Sequence, residues 1–257
     1  MQKIAAKYGR KTDIIEIYED ILKEKYGLEQ KPDMDNICHA RAFASKVSPY
    51  PIITADENIQ VFEWGMFADW VKRKTGAENP TAEGVVNARK KNEAIYNSRA
   101  ETIFEKPTFK EHILRQRCLI PSTGYFEYHH LSPKTSVPYF IFLPNDEVFS
   151  MAGIFDVWQL NDKDKFFTFS MLTTEANELT TEIHNGGANP HRMPLILHKE
   201  DEDKWLNPDL KQGDIESLLQ VYPAELMDAY PVNKEIFAKG GTHDKLVFEK
   251  ANSGSLF

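Results

Sequence analysis

Two cysteines, Cys38 and Cys118, are all that 257 residues contain. That is too few for a disulfide framework or a cysteine-rich zinc site, and the ordinary expectation for both is a buried, reduced thiol. No run of about 18 apolar residues occurs, so no membrane span is expected. The opening Met1-Gln2-Lys3-Ile4-Ala5-Ala6-Lys7 lacks the apolar core of a secretion signal, and a cytoplasmic protein is expected. Positive charge is also short: the net charge is −8. This argues against a general nucleic-acid coat protein and leaves room for a local basic groove. Neither a phosphate-binding glycine loop nor a His-Glu-x-x-His motif is present. Gly186-Gly187 is too little for a nucleotide cradle. His129 and His130, adjacent in an expected strand, point to opposite faces. No metal and no cofactor are therefore expected.

What remains is the composition of an ordinary globule, 41% hydrophobic and 27% charged. Helical spacing of Ile14, Ile17, Tyr18, Ile21 and Leu22, with Gly27 as a stop, predicts a helix over residues 12–26, followed by a polar loop over 29–36. Pro49-Tyr50-Pro51 reads as a break, and 59–64 as a strand. Asn79-Pro80 predicts a helix start, with the helix running to about 96. Thr108-x-x-Glu111 after Pro107 has capping-box form and predicts a helix to 117. Aromatic and β-branched runs at 137–143, 148–158 and 166–172 suggest an antiparallel meander, turning at Pro144-Asn145-Asp146 and at Asn161-Asp162. A helix over 174–183, a short strand over 194–198 and surface helices over 199–206 and 214–221 complete the reading. There is no repeat and no linker. The fold class is α+β: one domain with a mainly antiparallel sheet and surrounding helices. It spans 1–257, with a frayed tail from about 251. A monomer is expected.

Three polar clusters sit beside stiff apolar stretches. In the first, Asn97 and Arg99 point the same way if the segment is extended, and an amide with a fixed cation suits a phosphate; a helix end with a surface salt bridge is the bland reading. In the second, Glu127 lies among Tyr125, Phe126 and Tyr128. A partly desolvated carboxyl has a raised pKa and suits a general acid or base; a solvated strand residue is the bland reading. In the third, His184 and His191 flank a small loop and can shuttle protons near neutral pH, or can be incidental.

Taken in order, these clusters resemble the SRAP family (SOS-response-associated peptidase-like proteins). The resemblance is carried by Asn97-Ser98-Arg99-Ala100-Glu101-Thr102, by Cys118-Leu119-Ile120-Pro121-Ser122-Thr123-Gly124-Tyr125-Phe126-Glu127, and by Ile183-His184 with Arg192-Met193-Pro194. Trp64-Gly65-Met66, Ala152-Gly153-Ile154 and Tyr230-Pro231-Val232 support it, and the match runs from about residue 38 to about 235. Asn87-Ala88-Arg89 spells the family tripeptide more literally, but it lacks the following Glu-Thr and falls within a predicted helix.

The resemblance implies a barrel-like antiparallel core surrounded by helices, and capture of abasic sites in single-stranded DNA, within the DNA-damage (SOS) response. An N-terminal cysteine supplies an amine and a thiol that close a thiazolidine ring on the sugar aldehyde. By the same resemblance Asn97 positions that cysteine, Glu127 relays protons and His184 acts on the sugar oxygen. Arg99 and Arg192 hold flanking phosphates. Trp64 and Trp70 are candidates to stack a base, or are core. Here residue 2 is Gln. The expectation is that the cysteine-bearing first strand lies upstream of Met1; the alternative is a variant that binds single-stranded DNA without crosslinking it. A lyase acting through an imine and, less favoured, a thiol peptidase stay open. The segment 185–191 is longer than in many relatives, which leaves open whether His184 or His191 faces the site.

Overall fold

The computed structural model describes residues 49–56, 59–78, 81–91, 93–146 and 148–232. The expected helix at 12–26, the 29–36 loop, Cys38 and the tail lie outside them. The strands are β1 (Pro49–Ile53), β2 (Ile59–Trp64), β3 (Met66–Phe67), β4 (Ala94–Ile95), β5 (Asn97–Arg99), β6 (Arg117–Ser122), β7 (Tyr125–Ser132), β8 (Thr135–Phe142), β9 (Phe149–Gln159), β10 (Lys165–Glu175), β11 (Arg192–Pro194) and β12 (Asp228–Pro231). The helices are α1 (Asp69–Glu78), α2 (Ala82–Lys90), α3 (Pro107–Arg115), α4 (Glu178–Ile183), α5 (Glu202–Leu206) and α6 (Gln212–Glu216). None of them is long and apolar enough to cross a membrane.

β2, β1, β6 and β9 are antiparallel neighbours, and β10 joins both ends of the row. It is antiparallel to β9 and parallel to β2 at Thr168↔Glu63 and Phe169↔Trp64. The sheet therefore closes into a five-strand barrel, with β5 and β11 added along the far end of β10. All six residues of β6 are buried because its two faces feed different cores. Cys118 and Ile120 pack with Ile52, Phe62 and Phe169, whereas Leu119 packs with Ile113, Trp205 and Ile215 beneath the helices. Trp205 is completely buried, and its indole N–H donates to the Cys118 carbonyl at 3.0 Å. A second sheet, β12-β8-β7, stands beside the barrel.

Several expectations change. Pro49 and Pro51 lie within β1, which β2 pairs along its whole length while β6 meets it at Ile53↔Leu119; a strand unpaired along most of one edge tolerates missing N–H donors. The β9–β10 hairpin is as expected. However, β8 pairs with β7 and β12, so Pro144-Asn145 carries the chain between sheets instead of turning a meander. The helix expected to run to 96 ends at Lys90, and β4 pairs with β3. The start of α2 is capped by Thr81, whose hydroxyl accepts from Gly84 N–H. In α3 the cap position is Lys106 and Pro107 occupies the first turn, so Thr108 lies inside the helix. Residues 173–175 extend β10, and α4 starts later, where the Asn177 side chain accepts from Thr180 N–H. The expected strand at 194–198 begins earlier, as β11, and α5 is no surface helix, since Trp205 and Leu206 are buried. α1 was not expected.

Candidate active site

β5 is extended, with Ser98 buried and Asn97 and Arg99 exposed on the same face. Three donors converge on the Tyr96 carbonyl just before it: Trp64 Nε1–H at 2.7 Å, Met171 N–H at 3.0 Å and Ser170 Oγ–H at 3.1 Å. Ser98 Oγ and Ser170 Oγ are 2.7 Å apart on the inner side. Trp64 thus anchors β5, its ring stacked on Phe169 with centroids 6.3 Å apart. Gly65, next in the chain, adopts φ +113°, and a Cβ there would lie 2.8 Å from Arg89 Nη1. Arg89 belongs to a buried ion pair with Glu63 at 2.9 Å, so the more literal Asn87-Ala88-Arg89 tripeptide serves packing. Trp70 is 54% exposed at the start of α1.

Glu127 projects from the middle of β7, opposite Tyr139. β7 packs against α4, where Tyr125 Oη and Thr180 Oγ1 are 3.0 Å apart. His184 ends α4, and its Nδ1 lies 3.7 Å from Glu127 Oε1. The Glu127 and His184 side chains keep 24% and 18% of their exposure, so both remain open to solvent. Burial pushes the Glu127 carboxyl up to about 7, against the opposing pull of the Tyr128 backbone N–H. A carboxyl that titrates near neutrality can both give and take a proton. His184 Nδ1 is 2.9 Å from the Arg192 carbonyl. A carbonyl only accepts, so Nδ1 carries the proton, and Nε2 is the basic nitrogen of the neutral ring. His191 is exposed, in a left-handed conformation at φ 58°, and its Nδ1 approaches Thr181 O at 3.3 Å. It is His184 that stands beside Glu127.

Arg192 and Arg99 differ in what they hold. Arg192 forms a two-pronged ion pair with Glu101 at 2.7 and 2.8 Å and also donates to the Thr173 carbonyl at 2.9 Å. Burial works upward on the Glu101 carboxyl, but Arg192 and the backbone N–H groups of Glu101 and Glu175 outweigh it and hold it below its usual range. Arg99 makes one Nη2 bond, to Asn189 Oδ1 at 2.9 Å, and is otherwise exposed. The sequence alone gives neither Glu101 nor Asn189 a role. Glu101 sits inside the quoted motif, but nothing local signals a partner 91 residues away. Cys118 is wholly buried, and burial pushes its thiol far up, away from nucleophilic use.

The SOS response associated peptidase (SRAP) family model matches residues 12–239. The abasic site processing protein YoqW of Bacillus subtilis is 33% identical over 186 residues, covering 72% of this chain and 73% of that protein. The rat abasic site processing protein HMCES is 25% identical over 210 residues, covering 70% of this chain and 53% of its own length. A crystal structure of a Bacteroides thetaiotaomicron protein superposes with a TM-score of 0.72 at 39% identity, covering 97% of this chain and 95% of the other.

Proposed function

We propose, from the premise that this chain belongs to the SOS response associated peptidase (SRAP) family, that its site processes abasic sites in single-stranded DNA by covalent capture. The observation that carries this reading is a carboxyl pushed up to about 7 and standing 3.7 Å from an imidazole. Abasic site processing is what the relatives from Bacillus subtilis and rat are named for.

The ring-opened abasic sugar is an aldehyde. A primary amine adds to it, and the carbinolamine loses water to give an imine. A neighbouring thiol then adds its sulfur to the imine carbon and its proton to the nitrogen. The thiazolidine ring closes, and one water leaves overall. Both the dehydration and the ring closure need a proton given and a proton taken. Glu127, half-ionised near neutral pH, serves both directions. His184 Nε2 acts on the sugar hydroxyl while the Nδ1–H bond to Arg192 fixes the ring. The amine and thiol come from an N-terminal cysteine, which Asn97 positions; Cys118, internal and buried, supplies neither. Arg99 binds a flanking phosphate. Arg192, which shares its charge with Glu101, holds the strand's other side and orients His184. Trp70, which is exposed, offers a face to a neighbouring base, whereas Trp64 anchors β5 from the core side.

Protein isolated from its native locus and mixed with abasic single-stranded DNA tests the reading. The expected result is a species that survives denaturing electrophoresis, forms on the aldehyde substrate and fails on a tetrahydrofuran analogue. Salt-sensitive binding with no surviving species would replace covalent capture by noncovalent binding. Equal binding to intact DNA would overturn abasic-site recognition.

A further inference from the structure

The loop between His184 and Arg192 is tied down at four points. At its base, His191 N–H donates to the His184 carbonyl at 2.8 Å, and the His191 carbonyl accepts from Ala176 N–H at 3.0 Å. On one flank, Asn185 grips the β7 backbone at His130 in both directions: its Oδ1 accepts from His130 N–H at 2.7 Å and its Nδ2 donates to His130 O at 3.2 Å. Gly186 lies against the His130 ring so closely that a Cβ would sit 2.6 Å from it. On the other flank, Asn189 Oδ1 accepts from Arg99 Nη2 at 2.9 Å. The loop therefore forms a strap from β7, which carries Glu127, to β5, which carries Asn97 and Arg99.

We propose that this strap preorganises the binding site and that Asn189 is a positioning residue, holding the Arg99 guanidinium aimed at the phosphate beside the reacting sugar. The inference rests on the reading of Arg99 as a phosphate contact. An exposed arginine has many rotamers, and fixing it before the ligand arrives lowers the entropy lost on binding. A neutral amide oxygen is suited to this, because it orients the guanidinium without cancelling its charge. A carboxylate in the same place would form an ion pair and compete with the phosphate.

The test uses the full chain and a labelled single strand carrying a tetrahydrofuran abasic analogue, so that noncovalent affinity is read alone. Arg99→Ala, Asn189→Ala, Asn189→Asp and the double variant Arg99→Ala/Asn189→Ala are compared, with melting temperatures as a control. Asn189→Ala is expected to weaken binding about three- to tenfold, the range of one hydrogen bond. That loss disappears in the Arg99→Ala background, and the melting temperature stays unchanged. Asn189→Asp, which keeps an acceptor for Arg99, is expected to bind no better than Asn189→Ala. A merely structural role gives the opposite: Asp restores binding, or the two losses add. Either result overturns the proposal, as does an Asn189→Ala variant of full affinity beside a weakened Arg99→Ala. An Arg99→Ala variant of full affinity instead overturns the phosphate reading, and the strap's action through it.

Discussion

Replacing Glu127 by Gln should make the protein more stable at alkaline pH while slowing its chemistry. The Glu127 carboxyl moves from its ordinary 4.5 to about 7 in the folded chain, with burial as the main cause. Below pH 4.5 both folded and unfolded chains carry the proton, and the group adds no pH dependence. Between 4.5 and 7 the unfolded chain has released it while the folded chain retains it. The unfolded state then binds fewer protons, and stability falls as pH rises. Above 7 the full penalty is in place. At about 1.4 kcal/mol for each tenfold change in proton affinity, it is roughly 3 kcal/mol. Gln keeps an oxygen that can accept from the Tyr128 N–H and carries no charge to desolvate. Thermal melts of both proteins across pH 4 to 9 should coincide near pH 4 and separate progressively. Above pH 8 the Gln variant should be ahead by on the order of 5–10 °C for a chain of this size. A difference that does not vary with pH, or a Gln variant less stable at pH 8, would refute the reasoning.

Arg99→Ala should flatten the salt dependence of single-strand binding by about 0.7 in the logarithmic slope, the value for one phosphate. Arg192→Ala should change the slope less and lower the stability near neutral pH: the Glu101 carboxyl, held low by that pair, contributes stability above its ordinary 4.5 that is lost as pH falls, so urea unfolding of the two proteins should differ at pH 7 and converge in strong acid. Cys118→Ser places a hydroxyl in a sealed core and should cost about 1–3 kcal/mol in urea unfolding, with adduct yield per folded molecule unchanged; loss of that yield would return the thiol to the mechanism. Gly65→Ala forces a side chain to adopt φ +113° against Arg89 and should cost about 1–3 kcal/mol by the same assay.

The local parts of this architecture were legible where one periodicity dominated. β2 falls at the expected 59–64, where Ile59, Val61, Phe62 and Trp64 supply β-branched and aromatic residues interrupted by Gln60 and Glu63. β10 outruns its expected end because β5 and β11 pair with it from both sides at Thr173, contacts made by segments distant in sequence. The prolines of β1 and the threonine of α3 misled for a related reason. Their local preferences are real, but the pairing partner, or Pro107 in the first turn of the helix, decided the outcome. Within the site, the period-2 relation of Asn97 and Arg99 was readable from spacing alone. The approach of His184 to Glu127, the Glu101–Arg192 pair and the Asn189 strap depend on how β7, β10 and α4 assemble, which no local pattern encodes.

The most direct test of the account is the single-turnover rate of adduct formation on abasic single-stranded DNA, measured from pH 5 to 9 for the native protein and for Glu127→Gln. The native profile should show an inflection near pH 7 that is missing from the Gln variant, with the variant slower by about a hundredfold at neutral pH, as loss of a general acid–base group implies. Superimposable profiles would contradict it, because Glu127 would then take no part in moving the proton.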